Sequence, residues 1–470
     1  MTTTNGNRPI LDLPRWELLA SSTALTQSFG TDWNFYNPRD VRQSAIFWQQ
    51  PSLILEYSAR NDSMAVAWNP GANGFSNGSF ICGVNVGPSN LCSANGTSTT
   101  LITQENLQRN LNGYKVMITE GPAAGDVREI EYNTVGANAT IKVTSSFSAS
   151  PTTSTRYRLM TPRYYFGSGG STSTNSFRYY DYATDTLATL ANLPASFSTV
   201  TMAETTPSLV WGEMVSFATG TATGGTANTI SNSGKAWATN QWANSQIRLT
   251  GGTGAGQIRT ISSNTGTAIT VSANWTTTPD NTTTYAIEGN DDFIYVLNSG
   301  STTLRKYTIS TNTWSTLAAT TQAIGDGLTM DWVFEVNNPQ WTDENAILNG
   351  RYLYAFRGGA TRGLQRYDIA ANSWAEHPYA SDNGSTFGQS TCSIYAGNKI
   401  HLRLGGSPQM MEFDVFENNM VGAPSVPLAQ PTQYRGRHLW VHRHIDGSTK
   451  IDYLYLHPMS TTNIVRRMIL

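Results

Sequence analysis

The sequence predicts an all-β protein, on three observations. Only 13% of the 470 residues are charged, against roughly 25% in an average globular protein. Thr, Ser, Asn and Gly therefore build the surface, and these residues suit strands and tight turns. Long Ala/Glu/Lys/Leu-rich windows of the kind that form helices are absent. Short apolar and aromatic runs recur along the chain, separated by turn residues, as strands do.

The runs come in pairs. The first member is Tyr164-Tyr165-Phe166, Ile294-Tyr295-Val296, Leu353-Tyr354-Ala355, Ile400-His401-Leu402 and Leu454-Tyr455-Leu456. The second follows a Gly- or Ser-containing turn: Tyr180-Asp181-Tyr182, Tyr307-Thr308-Ile309, Tyr367-Asp368-Ile369, Phe413-Asp414-Val415 and the weaker Met468-Ile469. Each pair reads as a hairpin. Two of them continue through a turn to Trp314 and Trp374, where the other copies hold Leu187 and Met420. Successive first runs from Tyr295 onward are 59, 47 and 54 residues apart, the period of four-stranded propeller blades. From Tyr165 to Tyr295 the gap is 130, so something is inserted there.

Gly169-Gly170, Gly358-Gly359 and Gly405-Gly406, followed by Tyr367 and Trp374 in the best copy, resemble the kelch repeat. The resemblance covers about residues 162 to 470 outside the insertion and implies a β-propeller. Asn298-Ser299-Gly300 and His457-Pro458 stand where other copies have the double glycine, so those repeats are degenerate. Glycines would let strands crowd at a central channel, and Trp314 and Trp374 would be core residues between blades. The last copy ends at its second strand. Leu53–Tyr57 and Met64–Trp68 are therefore expected to close it, and five copies plus this one suggest six blades.

The excess residues hold a second repeat. Gly252-Thr253-Gly254-Ala255-Gly256-Gln257-Ile258-Arg259-Thr260-Ile261 aligns with Gly121-Pro122-Ala123-Ala124-Gly125-Asp126-Val127-Arg128-Glu129-Ile130 at an offset of 131. Ile269, Val271, Trp275, Pro279 and Tyr285 then match Ile141, Val143, Phe147, Pro151 and Tyr157 at an offset of 128. Agreement at fixed spacing marks a duplicated module, each copy a small β-sandwich or barrel. A phosphate-loop reading of the glycines fails because no helix or Lys-Ser/Thr follows; a tight turn is expected. The Gly-Ala-Gly-Gln-x-Arg-x-Ile segment with its closing Thr-Tyr-x-Ile resembles a module of tailed-bacteriophage structural proteins. That resemblance implies a virion setting.

No residue set for chemistry emerges, and catalytic, cofactor and metal sites are each expected to be none. No Gly-x-Ser-x-Gly elbow, acid pair with a sugar-binding groove or Cys/His couple stands in a convincing setting, and the chain is expected not to be an enzyme. Cys82, Cys92 and Cys392 are too few for a disulfide framework, although a Cys82–Cys92 bridge is sterically conceivable. His442 and His444 share a strand face near His438, but a third ligand is not evident, so a rim or interface role is expected. The same holds for Arg435, Arg437, Arg443, Arg466 and Arg467. Asp280-Asn281 and Asp291-Asp292 read as turn residues. A net charge of −2 and a pI near 6.3 give no global electrostatic case for nucleic acid. No apolar run nears the ~20 residues of a membrane span, and Met1–Gly6 has no signal-peptide pattern, so synthesis in the cytoplasm without cleavage is expected.

The organisation read from the sequence is an aromatic arm (1–43), blade-closing strands (44–94), module one (95–160), propeller (161–219), module two (220–288) and propeller (289–470). The expected function is a structural subunit of a tailed-phage virion, in the tail or head-to-tail region and nozzle-like. Its partners would be further copies of itself in a ring and other virion proteins, with passing contact to DNA and no membrane insertion. The alternative is a carbohydrate- or receptor-binding propeller.

Overall fold

The computed structural model describes residues 80–167, 175–194, 201–210, 213–334, 349–381, 386–388, 391–405 and 407–425, together with eight strand backbones outside them. Among the described residues there is no helix, so none long and apolar enough to cross a membrane.

Six antiparallel sheets share one strand order, each strand pairing with the next. Sheet one is Ser28–Asp32, Ser44–Gln49, Leu53–Ser58 and Ser63–Trp68. Sheet two is Phe80–Val84, Arg163–Gly167, Phe177–Asp181 and Thr186–Thr189. Thr201–Thr206, Asn290–Asn298, Thr303–Thr308 and Thr313–Ala319 make sheet three, and Thr329–Trp332, Tyr352–Phe356, Leu364–Asp368 and Ser373–Glu376 sheet four. Sheet five holds Cys392–Ala396, Lys399–Arg403, Met410–Asp414 and Asn419–Ala423, with Ala380–Ser381 parallel on its edge. Sheet six is Leu439–Asp446, Thr449–Leu456, Arg466–Ile469 and, from the other end of the chain, Glu17–Leu18. The first strands touch one another in the order one, two, three, four, five, six and back to one.

The five hairpins expected from the aromatic runs are the second and third strands of sheets two to six. Tyr180, Tyr307, Tyr367 and Phe413 stand opposite Leu187, Trp314, Trp374 and Met420, so the four large residues are equivalent. The expected closing strands are a correction. Leu53–Ser58 and Ser63–Trp68 pair with each other and with Ser44–Gln49. Having partners of their own, they leave the open edge at Arg466–Ile469 to Glu17–Leu18, which lies within the segment read as an arm.

A turn residue recurs in sheets two to five, and in sheets three and four it ties the sheet to the preceding one. Asp185, Asn312, Asn372 and Asn418 all have φ between 49° and 55°, a left-handed conformation that Asn and Asp tolerate best after Gly. The Tyr307 and Tyr367 hydroxyls donate to Asn312 and Asn372 Oδ1 at 2.7 and 2.9 Å. The same oxygens accept the Ala191 and Ala318 backbone N–H of the preceding sheet at 2.7 and 2.9 Å. The Trp314 and Trp374 indoles donate to the carbonyls of those same two alanines. Trp374 is buried as expected, whereas Trp314 is only partly buried.

The double glycine at Gly358-Gly359 packs on the turn entering sheet four. Both have positive φ, and a Cβ on Gly358 would lie 2.5 Å from the Asp326 carbonyl. Its role is close backbone approach.

Each module is inserted between the first and second strands of its sheet, module one in sheet two and module two in sheet three. Both have one strand order. In module one it runs Ser89–Leu91, Arg156–Met160, Lys115–Glu120, Val127–Asn133, Thr140–Val143, Thr100–Ile102, Ala94–Thr97. The two outermost strands are successive pieces of one segment. Module two repeats this from Ser216–Thr221 to Thr284–Glu288. The aligned residues are the cores: Ile130, Ile141, Phe147 and Tyr157 in one copy, Ile261, Ile269, Trp275 and Tyr285 in the other, all buried. Asn133 and Asn264 play one role too, each accepting the N–H of Leu111 or Trp242 and donating to the carbonyl of Arg109 or Ala238.

Candidate functional site: the paired modules and their junction

Both modules leave and rejoin the sheets at one buried junction. Glu288 ends the last strand of module two and Asp291 is the second residue of the long strand of sheet three. Between them a Cβ on Gly289 would meet the Pro207 carbonyl at 2.3 Å, so the chain passes tightly against the module's entry. Arg248 grips Glu288 through Nε at 3.1 and 3.2 Å and Nη2 at 2.6 Å. Asp291 accepts the Ser208 N–H at 2.8 Å and its hydroxyl at 2.6 Å. Gln246 Nε2 lies between the two carboxylates, 3.4 Å from Glu288 and 3.3 Å from Asp291. Module one contributes Arg158, whose Nε donates to the Gly87 carbonyl at 2.9 Å and whose charge acts on Asp291.

Burial pushes Glu288 and Asp291 above the usual carboxylate range, opposed by Arg248 and Arg158 respectively. Perturbed carboxylates often mark an active site. Here Glu288 is 0% and Asp291 6% exposed, and their oxygens are taken up by Arg, Ser and Gln. The group holds the two modules and the sheets in one arrangement and offers nothing to a substrate. This corrects the reading of Asp291 as a turn residue: its side chain is a junction element. Asp292 and Asp280 do bind turns, Asp292 accepting the Ser310 N–H at 2.6 Å and Asp280 the Thr282 N–H at 2.8 Å.

The outer tips of the modules differ. Tyr132 and Val135 are 47% and 62% exposed, the largest apolar exposures among the described residues. Lys142 lies 5.6 Å over the Tyr132 ring and pairs with Glu131 at 3.1 Å. Module two carries Ser263 where module one has Tyr132, and its turn at the place of Val135 is three residues shorter.

A shallow groove of about 440 Å³ lies at the third and fourth strands of sheet four, lined by Arg362, Leu364, Glu376, His377 and Tyr379 among others. Glu376 Oε1 accepts the Thr321 hydroxyl at 2.7 Å, and the Tyr379 hydroxyl donates to the Arg362 carbonyl. Burial first, and then Arg366, pushes the His377 imidazole down, keeping it neutral at pH 7. Nearby, His401 Nδ1 at 3.5 Å and Lys399 Nζ at 2.7 Å hold Glu412 down at about 2. A depressed carboxyl stabilises the fold above its unfolded value of 4.5 and loses that as pH falls through about 2. Glu412→Gln should therefore cost roughly 1–2 kcal/mol at pH 7, screening by solvent having reduced it, and nothing near pH 2. Urea titrations at both pH values check this.

Cys82, Cys92 and Cys392 are free and buried; Cys82 and Cys92 belong to different cores, so the conceivable bridge is not made. His442 and His444 stand on Leu439–Asp446, opposite Tyr453 and Ile451. Their side chains, like those of Arg443, Arg466 and Arg467, and all of Arg435, Arg437 and His438, lie outside the described residues. Among the described residues no group of three or more His, Cys, Asp or Glu side chains could hold a metal.

No family model matches the chain, and no curated protein matches it. Among solved structures, Kuenenia stuttgartiensis hydrazine synthase aligns with 38% of this chain at 10% identity and a TM-score of 0.23. The match spans 46% of that chain, under half its length. Saccharomyces cerevisiae Sqt1 aligns over 96% of this chain and 99% of its own at 9% identity, with a TM-score of 0.36. Likeness at this level carries no statement about fold or function.

Proposed function

We propose that the chain is a six-bladed kelch-like β-propeller serving as a structural subunit of a tailed-bacteriophage virion, in the tail or head-to-tail region, where copies assemble into a nozzle-like ring. The unbroken cycle of contacts among the six first strands supports the propeller and its blade number. The observation that carries the virion reading is the duplicated module, whose Gly-Ala-Gly-Gln-type segment resembles phage structural proteins. Both copies rise from adjacent blades at the same connection, which places a paired projection on one face.

The first strands Phe80–Val84, Thr201–Thr206 and Thr329–Trp332 are buried along their whole length. Their polar side chains face neighbours, as where Ser393 bonds both Thr329 and Asp331. A duplex some 20 Å across has no room there, so any DNA would run through the lumen of the ring, outside the propeller axis. The tip of module one, apolar where its sister is polar, is the surface best suited to a neighbouring subunit. Electron microscopy of the purified chain should show closed rings, and a uniformly monomeric protein counts against the reading. Tyr132→Ser with Val135→Gly, which removes both exposed apolar side chains from the tip of module one, should weaken ring formation at least tenfold.

The second reading, a carbohydrate-binding propeller, draws on the groove at Arg362, Glu376 and Tyr379. Specific glycan-array binding by the monomer, lost in Tyr379→Ala, would favour it.

A further inference from the structure

The glycine-rich loops of the two modules have one backbone. φ is positive at Gly121, Ala123 and Gly125 (83°, 66° and 94°) and at the aligned Gly252, Gly254 and Gly256 (71°, 79° and 88°). In each, the third glycine donates its N–H seven residues back, Gly125 to Ile118 at 2.9 Å and Gly256 to Leu249 at 2.8 Å. The loops also meet. A Cβ on Gly125 would lie 2.9 Å from the Thr250 carbonyl and 3.2 Å from the Ala255 Cβ; one on Gly256 would lie 2.5 Å from the Thr119 carbonyl and 3.1 Å from the Ala124 Cβ.

These contacts exchange under the 131-residue offset. Gly125 touches Thr250 and Ala255, and their equivalents Thr119 and Ala124 are touched by Gly256, the equivalent of Gly125. Reciprocity of this kind is the mark of an isologous, approximately two-fold contact. Beside the loops, the equivalent residues Val127 and Ile258 pack on one shared cluster of Val86, Met117, Met160 and Leu209.

We infer that the glycine loop ending in Ala-Gly, Ala124-Gly125 in module one and Ala255-Gly256 in module two, is a self-recognition element whose binding partner is the equivalent loop of the other copy, so that modules one and two dock through it as a pseudo-symmetric pair. Glycine is required at the last position because the partner's backbone carbonyl occupies the space of a side chain. The Ala-Gly pair is shared by both copies because each is the receptor of the other. The joint holds whether or not the chain sits in a virion.

Hydrogen exchange in the full chain tests this. Gly256→Ala in module two should speed exchange of the 118–126 amides of module one at least tenfold, and Gly125→Ala should do the same to 249–257. Gly252→Ala is the control, since its Cβ would strike Thr282 of its own module at 2.0 Å; it should loosen module two alone. Ala255→Leu wedges the joint from a position without positive φ and should act on module one as Gly256→Ala does. Wild-type protection of 118–126 in both Gly256→Ala and Ala255→Leu would overturn the inference, as would equal deprotection by Gly252→Ala.

Discussion

Arg248→Met should lower the unfolding free energy by ~3–5 kcal/mol at pH 7, the usual cost of stranding one member of a buried ion pair. The arginine supplies three of the hydrogen bonds to Glu288, whose side chain is wholly buried. Without it the carboxylate faces only Gln246 at 3.4 Å and the like charge of Asp291. The pH dependence follows from the same geometry. Burial already holds Glu288 above its unfolded 4.5 even with Arg248 present. A raised carboxyl favours the fold below the unfolded value and loses that contribution as pH rises through the folded one. Removing the cation raises it further, so the deficit of Arg248→Met should shrink between pH 7 and pH 4, where Glu288 can be buried neutral. Arg248→Met with Glu288→Leu should recover most of the loss. Denaturant titrations at the two pH values decide; equal deficits at both would mean that the arginine acts by packing alone.

Trp374→Ala should cost ~3–5 kcal/mol, as large-to-small changes at buried aromatics do. The indole packs 5.2 Å from the Tyr367 ring and its Nε1 donates to the Ala318 carbonyl of sheet three at 3.0 Å. The substitution therefore opens a cavity and cuts a link between two sheets. Trp314→Ala should cost less, about 2–3 kcal/mol, because the same link to Ala191 is made by a partly exposed ring. Trp374→Phe, which keeps most of the packing, should lose about 1 kcal/mol for the hydrogen bond. Chemical denaturation of the three variants should rank them in that order. A change in subunit or ligand binding with unaltered stability would instead make the tryptophans recognition residues.

What could be read in advance depended on whether a residue's neighbours are near in sequence. The second and third strands of five sheets are apolar runs closed by short turns, so their hairpins follow from local pattern. Nearly all first strands were missed. Thr201–Thr206 and Thr329–Trp332 carry polar residues although they are buried along their whole length, and the partners that satisfy Asp331 and Thr205 come from different sheets. Asn312 and Asn372 fall in the turns that precede Trp314 and Trp374. That their oxygens also hold the preceding sheet is not legible in the sequence, since Ala191 and Ala318 carry no signal of being held.

The modules show the same division. Their duplication, their cores and the turn conformation of the glycine loops were determined by the sequence alone, because internal comparison places equivalent residues at fixed offsets and positive φ selects glycine. Tertiary structure decided the rest. Only the folded chain brings Gly125 to Thr250 and Gly256 to Thr119, sets Arg248 and Arg158 around Glu288 and Asp291, and gives the edge at Arg466–Ile469 to Glu17–Leu18 in place of the hairpin at residues 53–68. Each of these depends on contacts between segments 40 or more residues apart, or on competition among several strands for one edge. Local propensity and periodicity carry no information about either.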